Sequence, residues 1–177
     1  MLCALNRRAL ENIITNFSGD KTTDDWTKLM VYTKRLWFAN GIHHHYSMDK
    51  FNPDFSREYF ATLLADTKTE LSEEVLEAIF NPEVDNKKVS LDANKDLLLA
   101  SASNFYGPDV TEKEVTDFYA AKADKNNPEP ISFGLNSKLV KGENGLEEQV
   151  WKSGGMYGTA IDEVIGWLEK AVTVSEN

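Results

Sequence analysis

Three histidines stand side by side in Asn40-Gly-Ile-His-His-His-Tyr46, and the chain has no others. An imidazole can ligate zinc, carry a proton, or titrate near pH 6.5 when unperturbed. Spacing decides which use is open. Two histidines share a zinc ion at i and i+4 on a helix, and share one side of an extended segment at i and i+2. Only the second pattern occurs here. His43 and His45 can share a side while His44 points away, and a third ligand would have to come from elsewhere, with Asp49 or Asp54 nearby. A closed zinc site needs three or four converging ligands. The residues alone therefore leave a metal ligand, a peptide-binding wall and a structural turn open, with the metal use the least supported.

Other chemistry is thinly represented. Among 29 carboxylates, pairs such as Asp24-Asp25, Glu73-Glu74 and Glu147-Glu148 arise readily. They read as helix-start charges or solvated faces. The chain contains no Gly-x-Ser-x-Gly, no Gly-x-x-x-x-Gly-Lys-Ser/Thr, no Gly-x-Gly-x-x-Gly and no His-Glu-x-x-His. Ser153-Gly154-Gly155 precedes a helix and reads as a flexible joint rather than an anion cradle. The single cysteine, Cys3, cannot form an internal disulfide and sits in an apolar run, where it is expected to pack.

Positioning such residues requires a folded scaffold, and the composition supports one. The chain has 177 residues, 41% hydrophobic and 11% aromatic, enough for a buried core and too apolar for a disordered segment. A formal net charge of -10 disfavours nucleic acid and anionic lipid as partners. No apolar run approaches transmembrane length. Leu2–Leu5 is too short for a signal-peptide core, and Arg7-Arg8 follow it instead of preceding it. A cytoplasmic location is expected.

Apolar spacing predicts helices over 3–17, 24–39, 57–67, 73–80, 112–123 and 156–172. Asp24 and Asp25 suit a helix start, Ser56 and Ser72 suit N-caps, and Gly41 suits a left-handed stop for the second helix. Thr111 and Glu114 form a capping box, with Val110 and Val115 as its hydrophobic staple. Val84–Leu91 reads as a loop and Leu97–Ala102 as a short buried segment. After a polar linker at Lys125–Pro130, residues 131–152 read as a β-hairpin turning at Gly142-Glu-Asn-Gly145. The expected fold is mainly α, of the α+β kind, with one hairpin. A helical region over 1–124 and a hairpin plus helix over 125–177 are expected to pack as one domain. The aromatics Trp26, Tyr32, Trp37, Phe38, Tyr46, Phe51, Phe55, Tyr59 and Phe60 read mostly as core, Tyr46 included.

The stretch Arg35-Leu-Trp-Phe-Ala-Asn-Gly-Ile-His-His-His-Tyr46, continuing to Lys50-Phe-Asn-Pro53, resembles the dipeptidyl peptidase III family in its bacterial branch. Gly134-Leu-Asn-Ser-Lys-Leu-Val-Lys141 and Leu99-Ala-Ser-Ala-Ser-Asn-Phe-Tyr106 resemble further segments in the same order. The resemblance implies a two-lobed zinc metallopeptidase, an aminopeptidase-like hydrolase that releases dipeptides from the N-termini of short peptides. The family's His-Glu-x-x-Gly-His and Glu-Glu-x-Arg-Ala-Glu motifs are absent. The resemblance thus implies an N-terminal, lower-lobe fragment of a larger enzyme, inactive alone. Zinc belongs to the intact parent and is not expected here. Its partners are short peptides and the remainder of the parent. It carries Tyr46 over as a substrate contact, with Asn40 and His43–His45 on the same surface. It assigns no catalytic and no metal residue. The competing expectations are a stand-alone peptide-binding or scaffold module and a small histidine metalloprotein.

Overall fold

The computed structural model describes residues 2–124, 126–129 and 131–176. It is mainly helical with one antiparallel hairpin, as expected. The chain forms two compact units, 1–90 and 91–177. The expected boundary at 124 falls inside the second unit.

The first unit holds α1 (Leu2–Asn16), α2 (Asp24–Ala39), α3 (Arg57–Asp66) and α4 (Glu73–Phe80). The side chain of Cys3 lies outside the described residues. Leu10 and Ile13 of α1, Leu29 and Leu36 of α2, Phe60 and Leu63 of α3, and Val75 and Ile79 of α4 meet in one core. Each set repeats at three, four or seven residues, so each helix turns one apolar stripe inward. Burying these side chains is the main force holding the unit together. Caps then set the ends. Thr23 Oγ1 accepts the Trp26 amide at 3.2 Å, and Ser56 Oγ accepts the Tyr59 amide at 3.1 Å. Ser72 makes no such side-chain bond at α4. Arg57 ties α3 to α4 through Glu73 at 2.5 Å and Glu77 at 2.8 Å.

Two expectations change here. The left-handed residue that ends α2 is Asn40 (φ 53°), not Gly41, and the Asn40 and Gly41 amides return to the carbonyls of Trp37 and Leu36. Asparagine tolerates this conformation better than most side chains. Trp37 is 39% exposed, whereas Tyr32 joins the core.

The second unit holds α5 (Glu112–Lys122), β1 (Ser137–Gly142), β2 (Gly145–Val150) and α6 (Gly158–Val174). Lys125 and Pro130 of the expected linker lie outside the described residues. The capping box at Thr111 is formed in both directions. The hairpin pairs Leu139 with Glu148 and closes at Gly142 opposite Gly145. It is shorter than expected, because Gly134 at φ 72° breaks the extended run before it. A Cβ at that glycine would come within 2.7 Å of the Tyr119 hydroxyl. Leu97–Ala102 is not a buried segment. Asp96 Oδ1 accepts the amides of Leu98 and Leu99 at 3.0 and 3.1 Å, which bends the chain into a turn and leaves Leu99 50% exposed. No helix among the described residues is long and apolar enough to cross a membrane.

Candidate functional site

The histidine stretch does not run on as an extended strand. After Asn40 stops α2, residues 42–44 pair back on 49–51. Phe51 N donates to Ile42 O at 2.8 Å, His44 N to Asp49 O at 2.8 Å, and Met48 N to His44 O at 3.0 Å. Met48 takes a left-handed conformation (φ 62°) to close the turn. A third segment joins on the other side, where Lys50 N donates to Asn86 O at 3.0 Å and Lys88 N to Met48 O at 2.8 Å. The loop is therefore held by backbone pairing on two sides, which fixes the side chains it carries.

Beneath the loop lies Lys50, buried at 7% exposure. Its ammonium donates to the carbonyls of Ala78 (3.1 Å), Asn81 (2.5 Å) and Val84 (2.6 Å). Four residues beyond Ala78 stands Pro82, which has no N–H to complete the helical bond. Lys50 supplies that missing donor and places its charge at the negative end of α4. Burial pushes the Lys50 ammonium below its usual range, while Asp85, Glu77 and Glu83 pull the other way.

The three histidines part company. His43 is half-buried, and its Nε2 lies 2.7 Å from the Asp85 carbonyl, which makes that nitrogen the N–H donor. Burial holds its imidazole below the ordinary value, against the opposing effect of the Asp85 bond. His44 Nδ1 accepts the amides of Tyr46 and Ser47, both at 3.2 Å. His44 and His45 stack with centroids 4.9 Å apart and an interplanar angle of 21°. The expected pairing of His43 with His45 gives way to this neighbour stack, because the chain turns at 44–48.

His45 also touches Phe38 at 5.5 Å and Tyr46 at 4.2 Å between centroids. Phe38 and Tyr46 are each 82% exposed. Neither is core. The exposed rings form a ledge running Phe38, His45, Tyr46, with His44 behind and Phe51 meeting His44 edge-on at 6.0 Å. Such a ledge offers flat apolar faces beside polar ring edges, the mixture that ligand walls use. Asn40 is exposed at the cap and borders a 240 Å³ cleft with Ala4, Arg7, Leu36 and Gly41.

One nitrogen of His43 and one of His44 are engaged within the loop. Asp49 is paired with Lys87 at 2.6 Å, and Asp54 with Arg35 at 3.8 Å. Among the described residues, no three His, Cys, Asp or Glu side chains come together as a ligand group. No catalytic step is assigned to this chain. Sequence reasoning missed Phe38 and Lys50. Phe38 was detectable, since it sits two residues past Leu36, about 160° round the helix from the buried stripe. Lys50 stood in the sequence only as the start of the Lys50-Phe-Asn-Pro53 stretch, and nothing in its neighbours marks a buried ammonium. Comparison with protein-family models finds none that matches, and comparison with curated proteins finds no match either.

Proposed function

We propose that residues 38–53 form part of the peptide-binding wall of a dipeptidyl peptidase III-like zinc exopeptidase, and that this chain is lower-lobe sequence of that enzyme. The reading rests on the resemblance over 35–53. It is supported by one observation above others: Tyr46 stands 82% exposed on a loop whose backbone is paired on both sides. A large ring left in water on a rigid support is a preorganised contact that waits for a partner. In this reading the chain contributes binding surface for short peptides, and the zinc chemistry belongs to the rest of the parent.

Two measurements test it. An immunoblot of native extract, using an antibody against this chain, should give a band far above 20.0 kDa. In that larger protein, Tyr46→Ala should raise KM for short peptides by roughly tenfold with little change in kcat, as loss of uniform binding does. Unchanged kinetics would overturn the role of Tyr46. A band at 20.0 kDa would favour the second reading, a stand-alone peptide-binding module. That reading also has an observation behind it, since the whole ring ledge is built within residues 38–51. Peptide titration of the chain, with and without Tyr46→Ala, then decides.

A further inference from the structure

His44 braces the tip of its own loop from the inside. Its Nδ1 accepts the amides of Tyr46 and Ser47, both at 3.2 Å. Neither amide finds a backbone acceptor among the described residues. Met48 closes the turn at φ 62°, a conformation costly for a residue with a side chain, so the tip depends on the bonds that hold it. A nitrogen that accepts two N–H groups bears no proton of its own, which places the single proton of the neutral ring on Nε2. The next proton must then go to Nδ1. It turns the acceptor into a donor and sets a cationic N–H against two amide N–H groups. Both bonds are lost, and the ring has to swing away to find an acceptor.

We propose that His44 is a proton-operated catch for the ring ledge. The neutral ring holds residues 45–47 in the shape that presents His45 and Tyr46, and the protonated ring releases them. The groups that face it favour this outcome. His45 stacks on it at 4.9 Å, so a proton on each ring sets like charges face to face and drives them apart. The Tyr46 ring at 6.0 Å and the Phe51 ring at 6.0 Å bring no charge. Asp49 is the carboxylate that feels His44, but it is paired with Lys87 at 2.6 Å and offers the imidazolium no free counter-ion. His43 is turned onto the Asp85 carbonyl. The base of the loop stays closed, because the bonds from His44 N to Asp49 O and from Phe51 N to Ile42 O, both 2.8 Å, involve no titrating group. Lys87 also donates to Ser47 O at 3.2 Å and tethers the tip once it is free. Protons bind the released form more readily than the held one, so falling pH moves the population toward release. The catch stands on the loop alone; that it controls peptide binding rests on the peptide-wall reading.

Nuclear magnetic resonance of the nitrogen-labelled full chain, titrated from about pH 7.5 to about pH 5.5 across the range in which an imidazole changes charge, tests the proposal. At the upper end His44 should show a bare Nδ1 and a protonated Nε2. As the ring gains its second proton, the Tyr46 and Ser47 amides should shift with it. The backbone order parameter of 45–47 should fall below about 0.6 while Phe51 stays near about 0.85. His44→Ala should be loose at both ends of the titration. His44→Asn, whose side-chain oxygen can take the amide two residues on without titrating, should be ordered at both. His43→Gln and His45→Gln should each keep the transition. A tip whose order ignores pH, or a His44→Asn tip that loosens in acid as the parent does, would overturn the catch. Titration with an alanine tetrapeptide separates this from the wall reading. Release of about nine-tenths of the population weakens the apparent affinity roughly tenfold, and His44→Asn should abolish that loss. No binding at either pH would sink the wall reading, while the loop data alone judge the catch. Binding indifferent to pH beside a tip that loosens would overturn its control of the ledge.

Discussion

Replacing Lys50 with methionine removes the buried ammonium and keeps most of the stem. Three carbonyls then lose their donor: Ala78, Asn81 and Val84. At roughly 1.5–3 kcal/mol for a bond to a charged group, three bonds bound the loss at about 5–9 kcal/mol. Losing the ammonium also relieves its desolvation, worth several kcal/mol. The net cost is about 3 kcal/mol, much of it from Ala78, whose carbonyl has only Pro82 at its helical position. A unit of this size is stable by about 5–15 kcal/mol, so the variant should unfold about 12–24 °C lower. Urea unfolding followed by circular dichroism and by fluorescence, with Trp26 (7% exposed) reporting on the core, measures the change. Lys87→Met, which breaks a surface pair with Asp49, serves as the control and should cost no more than about 1 kcal/mol. A Lys50→Met protein within about 0.5 kcal/mol of the parent would refute the view that this ammonium holds the loop to α4.

His43 should make the first unit sensitive to mild acid. Its folded value is held below that of the unfolded chain, chiefly by burial. Its contribution is present above the unfolded value of about 6.5 and is lost as pH falls through the folded one. The urea midpoint should therefore drop between pH 7 and pH 5, and His43→Gln should flatten that drop. In the second unit, Thr111→Ala should cost about 1 kcal/mol through loss of the cap. The Glu114 carboxyl is drawn down to about 2, first by the Thr111 amide and then by Lys141 and the Thr111 hydroxyl. Its contribution is present above the unfolded value of 4.5 and fades as pH falls toward about 2. In the variant, nuclear magnetic resonance titration should show Glu114 moving up while staying below 4.5, because the amide and Lys141 remain.

The features written into neighbouring residues were legible from the sequence. Helix α2 runs from Asp24 to Ala39, and α4 from Glu73 to Phe80, as the apolar spacing and flanking residues indicate. The Thr111 capping box and the turn at Gly142–Gly145 follow from side chains within a few positions of each other. Such signals act over one turn of backbone, so periodicity and capping chemistry suffice. The functional surface is of another kind. Lys50 meets carbonyls 28, 31 and 34 residues away, and that meeting holds the histidine loop in place. The exposure of Phe38 and Tyr46 depends on what does not pack over them, and the bare face of α6 on what its unit fails to cover. Hydrophobicity says that a side chain gains by leaving water, but only the three-dimensional arrangement decides which ones find somewhere to go.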